Sequence, residues 1–97
     1  MRNRMRPIHP GEILRQEFLV PGGMSGNQLA LRLHVPANRI SGIVSGVRAV
    51  TADTALRLAR YYSTTPEFWM NLQKTYELRL AENSIGRKVA REVRPAI

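Results

Sequence analysis

Apolar positions along this 97-residue chain recur at three- and four-residue intervals. No β-branched run alternates with polar residues between turn signals, so the pattern predicts helices and no strand. Pro10 stands where a first helical turn tolerates proline, and Ile13, Leu14 and Phe18 share a face, which predicts a helix over 10–19 ended by Pro21-Gly22-Gly23. Ser25 and Gln28 have capping-box spacing, with Gln28 reaching back to the Ser25 amide, and open a second helix over 26–33 with Leu29, Ala30 and Leu33 inward. His34-Val35 forms a short turn. Pro36 opens a third helix that ends near Ser45-Gly46, with glycine as the left-handed stop. Thr51 caps a fourth, with Asp53 set against the helix dipole and Ala55, Leu58, Ala59 and Tyr62 on its apolar side. Thr65-Pro66-Glu67 starts a fifth, in which Trp69, Leu72 and Tyr76 keep helical spacing; with Phe68 they are expected to fill the core or a dimer seam. The last fifteen residues show no strong pattern and are expected to be partly helical at best, or disordered. Five helices with short connections describe a compact all-α domain, divided as a basic arm over 1–9, the domain over 10–82 and a basic tail over 83–97.

The third helix separates two chemistries. Ile40, Ile43, Val44 and Val47 fall at i, i+3, i+4 and i+7 and make an aliphatic face. Asn38, Ser41, Gly42 and Ser45 repeat that spacing two residues away, about 200° around the helix, with Arg39 on the flank. A solvated helix face usually carries Glu and Lys. A strip of small uncharged polar groups instead lets a backbone approach another surface closely, and leaves an amide and hydroxyls free to bond base edges. The second and third helices together satisfy a helix-turn-helix: a small residue, Ala30, at the crossing; aliphatic locks at Leu29, Val35, Ile40 and Ile43; and a tight turn in which His34 takes the positive φ often given to glycine. The segment 25–45 is therefore expected to enter the major groove of DNA.

Charge sharpens this picture. The chain carries a net +8, but Arg2, Arg4 and Arg6 at one end, and Arg87, Lys88, Arg91 and Arg94 against Glu92 at the other, hold most of the excess. Between Glu17 and Asp53 there is no acidic residue, and Arg32, Arg39 and Arg48 stand in that window unopposed in sequence, an arrangement suited to a polyanion. Arg2, Arg4 and Arg6 read equally well as an arm that follows a groove or as a solvated terminus. The tail around Arg87 to Arg94 suggests nonspecific phosphate attraction or disorder.

Other chemistry finds little footing. There is no cysteine, which excludes disulfides and thiolate metal sites and suits a reducing, cytoplasmic setting. His9 and His34 are the only histidines and lie 25 residues apart without clustered carboxylates, so no metal is expected. No nucleophile arrangement or phosphate loop is present, and neither catalysis nor a cofactor is expected. No apolar run approaches the roughly 18 residues of a membrane span, and the basic start leads into Pro7 rather than an apolar stretch, so it is not read as a secretory signal.

Four stretches then carry a resemblance: Arg6 to Leu14 (RPIHPGEIL), Val35 to Ile40 (VPANRI), Ala49 to Ala59 (AVTADTALRLA) and Pro66 to Gln73 (PEFWMNLQ). In this order they resemble the Cro/CI-type (lambda-repressor-like) helix-turn-helix proteins, and more narrowly the HigA (VapI-type) antitoxins of toxin–antitoxin modules. That resemblance implies a homodimer that binds operator DNA, represses its own operon and silences a RelE-like mRNA-cleaving toxin. A stand-alone repressor without a toxin partner is the alternative. By position, Ala37, Asn38, Arg39, Ser41 and Gly42 correspond to base-facing sites, and Gln28, Ser45 and Arg48 to phosphate-facing ones. The fifth helix and the residues after it correspond to the dimer-forming region, with Trp69, Leu72 and Tyr76 as its dimer or core residues. The chain departs from the family in having Gly26 where many relatives carry a phosphate-gripping glutamine, and Ser45-Gly46 where Asn-Gly is frequent. Its positive charge also matches a basic toxin poorly.

Overall fold

The computed structural model describes residues 6–97; Arg2 and Arg4 of the expected arm lie outside the described residues. Regular structure among these is helical throughout: α1 (Pro10–Ile13) running into a π-helical stretch (Leu14–Leu19), α2 (Gly26–Leu33), α3 (Ala37–Val44), α4 (Ala52–Tyr62) and α5 (Pro66–Glu92). The expected first helix is thus present, but wound wide over its second half, where Val20 N–H bonds the Arg15 carbonyl at 2.9 Å.

Local chemistry sets the ends. His9 caps α1, its Nδ1 accepting from the Gly11 N–H at 2.9 Å. Both bonds of the Ser25–Gln28 capping box are made. His34 adopts φ 59° and closes α2, as its place in the turn predicted, and Gly46 at φ 84° follows the end of α3. Pro36 is the N-cap of α3 rather than its first residue. Thr51 and Thr65 cap α4 and α5 by accepting the N–H groups of Thr54 and Phe68.

Leu14, Leu29, Ile40, Ile43, Ala55, Leu58 and Trp69 are wholly buried and join all five helices in one core. Trp69 donates its indole N–H to the Thr64 hydroxyl at 2.8 Å and packs with Phe18, Tyr62 and Phe68, so it belongs to the core of the single chain. Gly11 lets α1 cross α3 closely: a Cβ there would sit 1.7 Å from the Ile43 carbonyl oxygen. Gln73, which the apolar pattern overlooks, is buried and ties α5 to the loop before α4, accepting from Val50 N–H and donating to Glu77, both at 2.8 Å.

Two expectations are corrected. The last fifteen residues are not mostly irregular; α5 continues unbroken to Glu92, leaving only 93–97 outside it. At 27 residues it is roughly 40 Å long and projects from the core. The radius of gyration is accordingly 16.0 Å, against about 12–13 Å for a compact chain of this length. Val47 does not join the aliphatic face of α3: that helix stops at Val44, and Val47 is 83% exposed in the following turn. No helix among the described residues is long and apolar enough to cross a membrane.

Candidate nucleic-acid interface

An eight-residue helix such as α3 is marginal alone, so its placement depends on what it covers. Ile40 and Ile43 are fully buried, Val35 and Val44 pack against the same core, and Ala30, 2% exposed, allows α2 to cross it. Burying that side leaves the other outward. Ala37, Asn38, Ser41 and Ser45 are exposed. The Ser41 and Ser45 hydroxyls donate to the Asn38 and Gly42 carbonyls at 3.5 and 3.2 Å, so each can still accept from outside.

Gly42 occupies a different place from its neighbours in the strip. It is half-buried beneath Arg48, and a Cβ on it would lie 3.1 Å from that of Arg48. Its carbonyl accepts the N–H groups of Val47 and Arg48 at 3.0 and 3.1 Å. This glycine therefore folds the turn back against α3 and holds the exposed Arg48 beside the strip. At the start of α2, Gln28 uses its side-chain oxygen on the Ser25 N–H at 2.8 Å, leaving its amide nitrogen as a donor. Gly26 lies over Ile40, where a Cβ would meet Cγ2 at 3.4 Å.

Arg39 is not unopposed, as its acid-free sequence surroundings suggested. Helix α4 brings Asp53 to it, with Nη1 2.9 Å from Oδ1. The same oxygen accepts from Arg57 Nε at 2.7 Å, and Arg57 Nη1 in turn donates to the Leu33 carbonyl at the end of α2 at 2.8 Å. The Arg57 and Arg39 contacts, in that order, hold the Asp53 carboxyl below its usual pKa. The i,i+4 spacing of Asp53 and Arg57 is visible in sequence, whereas the reach to Arg39 exists only once α3 and α4 have packed. Arg6 is likewise bound, in a two-point pair with Glu12 that lowers the Glu12 pKa.

The residues assigned to the dimer region divide. Trp69 is internal, while Leu72 and Tyr76, half-buried, line an apolar groove of about 330 Å³ with Ile8, Ile13 and Phe68. Tyr76 also packs edge-to-face with His9, with ring centroids 4.8 Å apart. Further along α5, Leu78, Ile85 and Val89 are exposed and fall on one stripe by their spacing.

Comparison with known proteins agrees with this architecture. A helix-turn-helix family model matches residues 14–69. Virulence-associated protein I of Dichelobacter nodosus is 52% identical over 84% of this chain and 75% of its own length. A HigA-family addiction module antidote protein from Coxiella burnetii superposes with a TM-score of 0.90 at 54% identity, covering 94% of this chain and 99% of that one. Pseudomonas aeruginosa antitoxin HigA, solved with the higBA promoter, gives 0.92 at 46% identity, covering 95% of this chain and 100% of that one. With a helix-turn-helix built as described and relatives this similar over most of both lengths, the chain belongs to the HigA (VapI-type) group of Cro/CI-type helix-turn-helix proteins.

Proposed function

We propose that this protein is an operator-binding antitoxin that represses its own operon as a homodimer and neutralises a RelE-like toxin. The observation that carries the DNA-binding part is the outer face of α3. It is exposed, free of acidic residues and made of small polar groups, and Arg48 lies beside it. The similar antitoxin solved with promoter DNA supports the same reading. In this reading Asn38 and Arg39 bond base edges, Ala37 and Ser41 allow close approach, Gln28, Ser45 and Arg48 hold phosphates, and Gly42, expected to face bases, instead seats Arg48 beside the strip. A mobility-shift assay on the DNA preceding its own reading frame should show a discrete complex that survives excess random DNA. No complex there would defeat the operator assignment.

Dimerisation is supported by the groove that Leu72 and Tyr76 line, and by the exposed stripe Leu78, Ile85 and Val89, which the single chain leaves uncovered. Sedimentation should give twice the chain mass, and Leu78→Glu with Ile85→Glu should return it to one; a monomeric wild type would contradict this. The charge of +8 favours the second reading, a repressor without a toxin, because a basic partner would be repelled. Co-expression with the neighbouring reading frame separates the two: a stable complex with a toxic small protein supports the antitoxin, and its absence leaves the repressor.

A further inference from the structure

We propose that Asp53 is a specificity-determining residue of this reading surface: its carboxylate aims Arg39 and weakens that cation's general attraction to phosphate. The proposal rests on the assignment of Arg39 to base reading.

Three observations lead to it. The first is how the carboxylate is fixed. One oxygen, Oδ1, accepts from Arg39 Nη1 at 2.9 Å and Arg57 Nε at 2.7 Å. Arg57 is itself tied to the Leu33 carbonyl at 2.8 Å, so the end of α2 and the first turn of α4 together hold Asp53 in place. The second is where it faces. Asp53, Arg39, Arg48 and Thr51 line one open hollow of about 360 Å³ beside α3. Asp53 is also the first acidic residue after Glu17. A carboxylate there opposes an approaching phosphate backbone, and Thr51 already caps α4 without it.

The third is what Arg39 has left. A guanidinium carries five N–H donors, of which the pair to Asp53 occupies one on Nη1. The Nη2 edge remains as a fork able to meet guanine O6 and N7. A side chain already held in one geometry loses less freedom when it makes that contact. Asp53 shares its one charge between Arg39 and Arg57, so it offsets part of the Arg39 charge and weakens its hold on phosphates of any sequence. Arg39 then adds affinity where the base matches and little elsewhere, while Arg48 supplies the sequence-blind attraction.

The test uses the full chain with two probes: a duplex that wild type enriches from a random library, and the same duplex with its base order shuffled. Asp53→Asn is expected to bind the shuffled duplex about threefold or more tighter at low salt, with a salt slope steeper by about one unit. The preference for the enriched duplex should fall about threefold to tenfold. In an Arg39→Ala background the same substitution should leave that preference where Arg39→Ala alone puts it. Asp53→Ser, which keeps a small polar side chain in the first turn of α4, must move both readouts the same way if the Asn variant melts early. An unchanged preference in either folded Asp53 variant overturns the proposal, as does an equal gain on both duplexes with Arg39 present and absent. If Arg39→Ala itself keeps the wild-type preference, the base-reading role of Arg39 fails and the role of Asp53 with it. A loss of preference in Arg39→Ala with none in Asp53→Asn defeats the role of Asp53 alone.

Discussion

Helix α3 and the distal half of α5 are both helical and both exposed on a broad face, yet they are held for opposite reasons. The first spans eight residues, too few to persist alone, and lasts because Ile40 and Ile43 are buried and Gly11 lets α1 seat on its last turn. The second, beyond Tyr76, buries nothing; it continues a helix already nucleated on Trp69 and Gln73, with Lys88 and Glu92 paired at 3.7 Å on its surface. Tertiary packing fixes α3 in both position and rotation, which the proposed reading role needs. Propagation fixes only the direction of distal α5, and leaves its apolar stripe available to a second copy.

The largest way to break this contrast is within the core. Ile43→Ala removes a fully buried side chain under α3 and should cost about 2–5 kcal/mol in a denaturant melt, whereas Ile85→Ala should leave the melt of the dilute monomer within about 0.5 kcal/mol of wild type. Comparable losses at the two positions would mean that distal α5 is packed in the monomer after all.

Protonation gives a smaller effect with a definite sign. Burial pushes the His9 pKa below its usual value, partly offset by the Arg48 backbone and by Glu12, and the α1 cap needs Nδ1 unprotonated to accept from Gly11. The unfolded chain therefore binds the proton first. This contribution is present above about pH 6.5 and is lost as pH falls through the lower folded value. His9→Ala should melt about 1 kcal/mol below wild type at neutral pH, and the gap should narrow as pH falls below about 6.5. A gap that widens would reverse the assignment. The Glu12 and Asp53 carboxyls, also lowered, contribute above their ordinary values and lose that contribution only as pH falls below them.

The smallest change sharpens the other half of the comparison. Gly86 sits within α5 where an added Cβ would meet, beyond the adjoining helix backbone, only the Glu82 Cβ at 4.0 Å. Gly86→Ala should raise helicity and stabilise by about 0.5–1 kcal/mol. A loss would show that this segment is not helical or that a neighbour fills the space.

These contrasts also explain what was legible in the chain. The α2–α3 unit could be read closely because each of its signals is local: the Ser25 and Gln28 box, the positive φ of His34, the stop at Gly46 and the three-to-four spacing of Ile40 and Ile43. Distal α5 escaped because Asn83, Ser84 and Gly86 are weak helix formers, and a helix that buries nothing in its own chain needs no inward face. Val47 was misplaced since periodicity alone does not register that the helix ends three residues earlier. Gln73 and the partnership of Arg39 with Asp53 join residues 23 and 14 positions apart, and no local pattern announces them. The roles of the α3 side chains toward DNA were inferred from their types and their place in the family, and the exposed strip makes those roles physically available.

The most direct test of the central claim compares Asn38→Ala with Arg48→Ala on the enriched and shuffled duplexes over a range of salt. Asn38→Ala is expected to lose about 1–3 kcal/mol on the enriched duplex and almost nothing on the shuffled one, relaxing preference at one base position. Arg48→Ala should weaken both duplexes alike and flatten the salt slope by about one unit. Equal losses on both duplexes for Asn38→Ala would contradict the assignment of the α3 strip as the reading face.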